Sequence, residues 1–284
     1  MNRLDKIKLR LTRNWKFPGQ ERLGRLFKPS QSLQVSFQNS IIWLSDEPLA
    51  IFSSANNYIE ATILSTGTYE AEIEKLIAIS LKEGDTALDI GANIGLQSLR
   101  MGRYCGKNGR VLAYEPLNYL QEKFNKNIAL NGLENVQLFP YALSDYDSEI
   151  SYLIDETAWN QGTFSLGNLK SGATSQKVII KTGDLLPEII ELDSLQLIKI
   201  DVEGFELQVM QGLTRCISKF RPRIIFEYDE NYWVKNNQRI HECFDFLNRL
   251  NYTVYQITDI GCLLITNPVS IESGNIFCIP EKSL

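Results

Sequence analysis

The sequence predicts an α/β protein built on a doubly wound, mostly parallel sheet. Three observations lead there. An apolar run, Thr86-Ala87-Leu88-Asp89-Ile90, ends at a turn bracketed by Gly91 and Gly95, and a helix-like stretch opens at Leu96. Strand-like and helix-like segments then alternate at the spacing of βαβ units. Finally, Asp89, Glu115, Asp145, Asp201, Glu203 and Glu227 each fall at or just after the end of a strand-like run. In an open parallel sheet, that rim is where ligands bind.

Taken in order, Leu4, Ile7, Leu11 and Trp15 share one face of a short helix whose other faces carry Arg3, Lys6, Arg10 and Arg13. Such a head docks on an acidic surface, membrane or partner, or packs on its own domain. Residues 33–37 and 41–44 read as two short strands ahead of the main fold, a candidate flap. Tyr69, Ile73, Leu76, Ile77 and Leu81 keep a helical spacing that Gly84 stops. A second strand covers 111–116, and the helix after it, with Leu120, Phe124, Ile128 and Leu130, stops at Asn131-Gly132. The third strand is expected over 136–143.

Residues 155–176 break the rhythm, being rich in Gly, Ser, Thr and Asn without a period. A segment of this kind inside a compact domain is a candidate lid or binding loop, with Trp159, Asn160 and Phe164 to grip a substrate. Beyond it the sequence predicts a strand at 178–180 and a helix at 184–190 despite Pro187. A buried strand at 195–201, a helix at 205–213 and a strand at 223–228 follow. A helix at 237–250 leads to closing strands at 252–258, 262–266 and 276–279, at least one antiparallel. The expected organisation is a basic extension over residues 1–65 and a catalytic domain over 66–284.

Composition narrows the function. With 284 residues, 44% hydrophobic and 22% charged, the chain has the makeup of a soluble globular protein. Residues 1–28 hold nine Lys/Arg against two Asp/Glu, a charge of +7, which leaves −12 for the remainder of a chain of net charge −5. An acidic body argues against extended nucleic-acid binding. Cys105, Cys216, Cys243, Cys262 and Cys278 are an odd set without a CxxC pair, read as reduced thiols of a cytoplasmic protein. No run reaches the length of a membrane span.

The glycine turn departs from a dinucleotide site in one residue. A dinucleotide needs a glycine in mid-turn so that the backbone can approach a pyrophosphate. Asn93 stands there instead, and a ligand with a ribose but no phosphate fits better. S-adenosylmethionine, with its adenosine, sulfonium and amino-acid tail, is such a ligand. Asp89 suits its positive charge and Glu115 its ribose hydroxyls. Lys199, two residues before Asp201 in an apolar strand, needs a partner among the rim acids. It either holds Asp201 or Glu227 ionised or, at lowered pKa, acts as a base; the supporting role is favoured. The lone histidine, His241, falls mid-helix away from the rim, so neither histidine catalysis nor a metal site is expected, although a divalent ion on the acid cluster stays open.

Four motifs in order carry a family resemblance. Leu88-Asp89-Ile90-Gly91-Ala92-Asn93-Ile94-Gly95, Tyr114-Glu115-Pro116, Ala142-Leu143-Ser144-Asp145 and Ile198-Lys199-Ile200-Asp201-Val202-Glu203-Gly204-Phe205-Glu206 resemble the FkbM-type S-adenosylmethionine-dependent methyltransferases. Gly67-Thr68-Tyr69-Glu70 and Asn160-Gln161-Gly162-Thr163-Phe164-Ser165-Leu166 are similar too, so the resemblance covers residues 69–228. It implies a Rossmann-like class I methyltransferase fold with a seven-stranded sheet, and methylation of a hydroxyl on a sugar, glycan or secondary metabolite. Under it, Asp89, Gly91, Asn93 and Gly95, with Tyr69 and Glu70, surround the methionine end. Glu115 takes the ribose, and Ser144 and Asp145 lie near the adenine. Asp201 and Glu203 face the transferred methyl; either Asp201 or Glu203 is read as the base, tuned by Lys199 and Glu227. Asn160, Phe164 and Tyr228 are candidate acceptor contacts. A nucleotide-dependent oxidoreductase and a non-catalytic cofactor-binding module are the alternatives.

Overall fold

The computed structural model describes residues 7, 9, 12, 13, 36–45, 47–53, 57–154, 174–268 and 271–281. The first described pair is a hairpin, β1 (Ser40–Trp43) and β2 (Ala50–Ser53), followed by α1 (Tyr58–Thr66) and α2 (Ala71–Ser80). Then come β3 (Thr86–Ile90), α3 (Leu96–Cys105), β4 (Arg110–Tyr114), α4 (Asn118–Asn131) and β5 (Val136–Phe139). β6 (Ala142–Ser144), β7 (Ser148–Ile154) and β8 (Thr174–Thr182) make a separate small sheet, and α5 (Pro187–Ile190) leads back to β9 (Leu197–Ile200). The chain ends with α6 (Glu206–Gly212), α7 (Thr214–Phe220), β10 (Arg223–Tyr228), α8 (Glu230–Lys235), α9 (Ile240–Arg249), β11 (Tyr252–Thr258), β12 (Gly261–Leu264) and β13 (Gly274–Pro280).

The main sheet runs β12-β11-β13-β10-β9-β3-β4-β5. From β5 to β10 every pairing is parallel, while β13, β11 and β12 close the edge antiparallel. The seven expected strands are present, and the hairpin partner β12 makes an eighth. Alternation along the strands sends side chains to two faces. Leu88, Ile90, Ile198, Ile200 and Phe226 pack with Leu207, Met210, Ile217, Phe244 and Leu247 on one side. Ala87, Val111, Leu197 and Ile225 pack with Ile73, Leu76, Ile77 and Met101 on the other. Helices therefore cover both faces, as a parallel sheet requires.

Three expectations need correcting. The third strand does not run through 136–143: Pro140, which has no N–H to give a ladder, ends β5, and Ala142–Ser144 pairs with β8 in the small sheet. Residues 36–37 are helical rather than extended, the remainder of the strand predicted at 33–37 lying outside the described residues. Residues 174–176 belong to β8 rather than to a loop, and the segment before them, with Trp159, Asn160 and Phe164, lies outside the described residues. In the basic head, Ile7 is exposed and Leu9 is buried, and Leu4, Leu11 and Trp15 lie outside the described residues. No helix among the described residues is long and apolar enough to cross a membrane.

The β1–β2 hairpin is fastened to α4 by two asparagines one turn apart. Asn127 Oδ1 accepts from Phe52 N at 2.7 Å, and its Nδ2 donates to Ile94 O at 2.8 Å. Asn131 accepts from Ala50 N at 3.0 Å and donates to Ala50 O at 2.7 Å. Asn127 is fully buried, so Asn127→Ala strands an amide and a carbonyl and lowers stability by about 2 kcal/mol or more. Denaturant titration measures this, with a smaller loss for the partly exposed Asn131→Ala.

Candidate functional site

The carboxyl ends of β3, β4, β9 and β10 open into a cavity of about 1000 Å³. Two close approaches shape its floor. Gly91, at φ +78°, leaves no room for a Cβ, which would stand 1.9 Å from the Asp201 carbonyl oxygen. Gly95, at φ +87°, lies against the Phe124 ring, 2.8 Å from where its Cβ would be. Gly91 lines the cavity, whereas Gly95 starts α3 beneath it. Asn93 occupies the left-handed region at φ +51°, which asparagine tolerates better than other side chains.

Every amide of this turn is already engaged. Gly91 N and Ala92 N donate to Tyr114 O, both at 3.0 Å, and Gly95 N donates to Ala92 O at 2.8 Å. Asn93 N donates to Glu115 Oε2 at 2.9 Å, and Ile94 N to Asn93 Oδ1 at 2.8 Å. A diphosphate approaching this loop finds no free backbone donor, unlike one in a glycine-rich phosphate cradle. Glu115 also accepts from Leu117 N at 2.9 Å. Two of its roughly four lone-pair sites are thus used, and the others remain for a diol.

Lys199 holds the acids together from below. It lies opposite Asp89 in the parallel β3–β9 register, and its Nζ is 2.8 Å from Asp201 Oδ2. Burial alone would lower the lysine pKa; the charges of Asp201, Asp89 and Glu70 outweigh it and hold the pKa above the usual value. Lys199 is therefore a fixed cation. Asp89 is fully buried; its Oδ2 accepts from Ser98 Oγ at 2.5 Å, while Oδ1 has no hydrogen-bond partner. Burial raises its pKa.

The other carboxyls are crowded. Burial lifts Glu70 and Glu115 to about 7 and Glu203 to about 8. Glu227 is raised well above its ordinary value, first by the charge of Asp201 and then by burial, and its side chain is hydrogen-bonded to Asp201. Glu227 thus holds its proton more tightly than a free carboxyl, beside an Asp201 that also faces Lys199. Glu203 lines the cavity in a left-handed backbone conformation at φ +55°, and its Oε2 has no hydrogen-bond partner.

Tyr69, Glu70, Ser144, Asp201 and Glu227 also line the cavity. Asp145 is exposed and accepts from Ser144 Oγ at 3.2 Å, and Tyr228 packs edge-on against Trp233 at 5.3 Å. Neither of these two lines the cavity.

For two residues the sequence reading assigned no role. Arg100, fully buried on α3, pairs with Glu47 at 2.7 Å and donates to Tyr69 O at 2.9 Å, so it fixes the Tyr69-Glu70 segment at the cavity wall. Glu206 accepts from Val202 N at 3.0 Å and from Gly204 N at 3.2 Å, closing the loop that carries Glu203. No cluster able to hold a metal ion occurs among the described residues.

The model of the methyltransferase FkbM domain matches residues 89–254. The chain belongs to the FkbM methyltransferase family. S-adenosylmethionine is the cofactor that goes with that family. Its relatives include the hexuronic acid methyltransferase AglP of Haloferax volcanii, 29% identical over 150 residues that cover 52% of this chain and 58% of that one. The methyltransferase sdnD of Sordaria araneosa is 29% identical over 154 residues, 44% of this chain and 59% of that one. The chain thus spans less than two thirds of either relative's length. The crystal structure of methyltransferase FkbM from Methylobacillus flagellatus aligns over 92% of this chain and 60% of its own, at 13% identity and a TM-score of 0.44.

Glu70, Glu115 and Glu206 are each raised to about 7 by burial, so between the ordinary carboxylate range and neutrality the folded chain binds more protons than the unfolded one. Stability accordingly falls as pH rises through that window. Calorimetric melting at pH 5 and pH 8 is expected to give the lower temperature at pH 8; equal temperatures would mean that these carboxyls titrate normally.

Proposed function

We propose that the protein is an S-adenosylmethionine-dependent O-methyltransferase acting on a hydroxyl of a sugar, glycan or related metabolite. The observation that carries the donor is the turn at Gly91–Gly95, whose amides are all bonded within the protein while Glu115 keeps lone pairs free. A ribose-bearing, phosphate-free cation fits there, and a pyridine dinucleotide does not. In this reading Asp89, Gly91 and Asn93, with Tyr69 and Glu70, hold the amino-acid end, Glu115 the ribose, and Ser144 the neighbourhood of the adenine. The sugar class is supported by the family and by the relative whose name specifies a hexuronic acid.

The cofactor supplies a methyl on a positively charged sulfur, and the acceptor oxygen takes that methyl as the neutral thioether departs. An alcohol is a weak nucleophile unless its proton leaves as attack proceeds, and a positioned carboxylate contributes about 10²–10⁴-fold. Asp201 is poorly suited to take the proton, since Lys199 and Glu227 already engage it. It serves as the fixed negative charge of the rim. Glu203 lines the cavity, and burial lifts it to about 8, close to a working pH. It is the base.

Asp201→Asn combined with Glu203→Gln is expected to cut S-adenosylhomocysteine formation on a glycan-containing cell extract by about 10²-fold or more. Calorimetric binding of S-adenosylhomocysteine should largely survive. Undiminished turnover removes both residues from the chemistry. With Glu203 as base, wild-type turnover rises as pH passes upward through about 8, because only the ionised carboxylate accepts a proton.

A further inference from the structure

A buried chain of polar side chains on α3 holds the Tyr69-Glu70 segment at the cavity wall. Arg100 takes the Glu47 carboxylate in a forked contact, with Nε 3.0 Å from Oε2 and Nη2 2.7 Å from Oε1. It also donates to Tyr69 O at 2.9 Å, to Thr68 Oγ1 at 3.2 Å and to Gln97 Oε1 at 3.2 Å. A guanidinium only donates, so the oxygen of the Gln97 amide is the end that faces Arg100. The amide nitrogen is thereby turned to Glu70 and donates to its Oε2 at 2.9 Å. Arg100, Gln97 and Glu70 are all buried, so little water competes for these bonds.

Glu70 begins α2 in the left-handed region, at φ +53°, and its side chain makes no capping bond to that helix. A glutamate persists in this conformation only where its surroundings over-determine it. Its carboxylate is committed to the Gln97 amide instead, on a residue that lines the cavity with Gly91, Asn93 and Asp201. Gln97 does not line the cavity, so it acts on a ligand through Glu70. The amide is a neutral donor: it orients the carboxylate and favours the ionised form without cancelling the charge. Among the cationic groups of S-adenosylmethionine, the sulfonium has no N–H to be directed, whereas the α-ammonium has both a full charge and N–H donors for an oriented carboxylate. We propose that Gln97 is a positioning residue that, with its amide set by Arg100, aims the Glu70 carboxylate at the α-ammonium group of the methyl donor. The inference rests on the S-adenosylmethionine reading and assigns one group of that ligand to one carboxylate.

The test is calorimetric binding of S-adenosylhomocysteine and of its desamino analogue, in which hydrogen replaces the amino group. Gln97→Met keeps an unbranched side chain and loses the amide. It is expected to weaken S-adenosylhomocysteine by about fivefold or more, while the desamino analogue shifts by less than about twofold. Glu70→Gln should show the same selective loss, and Gln97→Met added to it should weaken binding by less than about twofold further. Weakening of both ligands alike, or of neither, overturns the proposal. So does a full additional loss on the Glu70→Gln background, or wild-type protein that holds the two ligands equally. If Gln97→Met folds poorly, Gln97→Asn, one methylene shorter than the native side chain, is titrated in its place. Failure of the wild-type protein to bind S-adenosylhomocysteine at all would overturn the donor reading itself, and this inference with it.

Discussion

Lys199 sits on a central strand of the sheet, with Asp89 opposite it and Asp201 2.8 Å from its ammonium. A buried ammonium and a buried carboxylate are each costly alone, and each makes the other tolerable only when the geometry is good. β9 delivers that geometry, because residues two apart on a strand point to the same side. Lys199 and Asp201 therefore share a face, and the parallel register brings Asp89 alongside. Once this group is in place, the turn after β3 must pass close over the end of β9. The absent side chain of Gly91 is what permits it.

Above this foundation the rim is acidic but not uniformly ionised. Glu227 keeps its proton because Asp201 is charged beside it, an arrangement that lets two carboxyls share a tight space. The result is a concave surface whose negative potential is concentrated at chosen points. Such a surface is preorganised for a cation before one arrives, which limits the reorganisation needed on binding.

Much of this was legible in the chain. The glycine turn, the strand-end acids and the helices with clear apolar spacing stand in the sequence because period and turn chemistry are local properties. The lysine inside an apolar strand could be paired with Asp201 on paper, since that pairing is also local. Other features carry no local signal. α1 buries Glu60, Thr62, Ser65 and Thr66 alongside its apolar residues, so it lacks the one-sided pattern of a surface helix. Arg100 on α3 reads as a solvent-facing charge until the fold brings Glu47 and the Tyr69 carbonyl to it. The role of Glu206 is to bond backbone amides, which no residue pattern announces. Asn236 reaches the Glu203 carbonyl across 33 positions of the sequence, a contact created only when α8 folds back over the β9 loop. The small sheet of β6, β8 and β7 was hidden because Pro140 divides what otherwise looks like one continuous strand.

The asparagine pair on α4 has a consequence beyond anchoring. A helix seldom satisfies the hydrogen-bonding row of a strand, yet Asn127 and Asn131, spaced by one turn, do so for Ala50 and Phe52 of β2. Those backbone groups are thereby withdrawn from recruiting a foreign strand. Gly261–Leu264, ending the main sheet with exposed residues and no charge or proline, has no such guard among the described residues. The two margins of the molecule thus differ in how readily each would seed self-association in crowded solution.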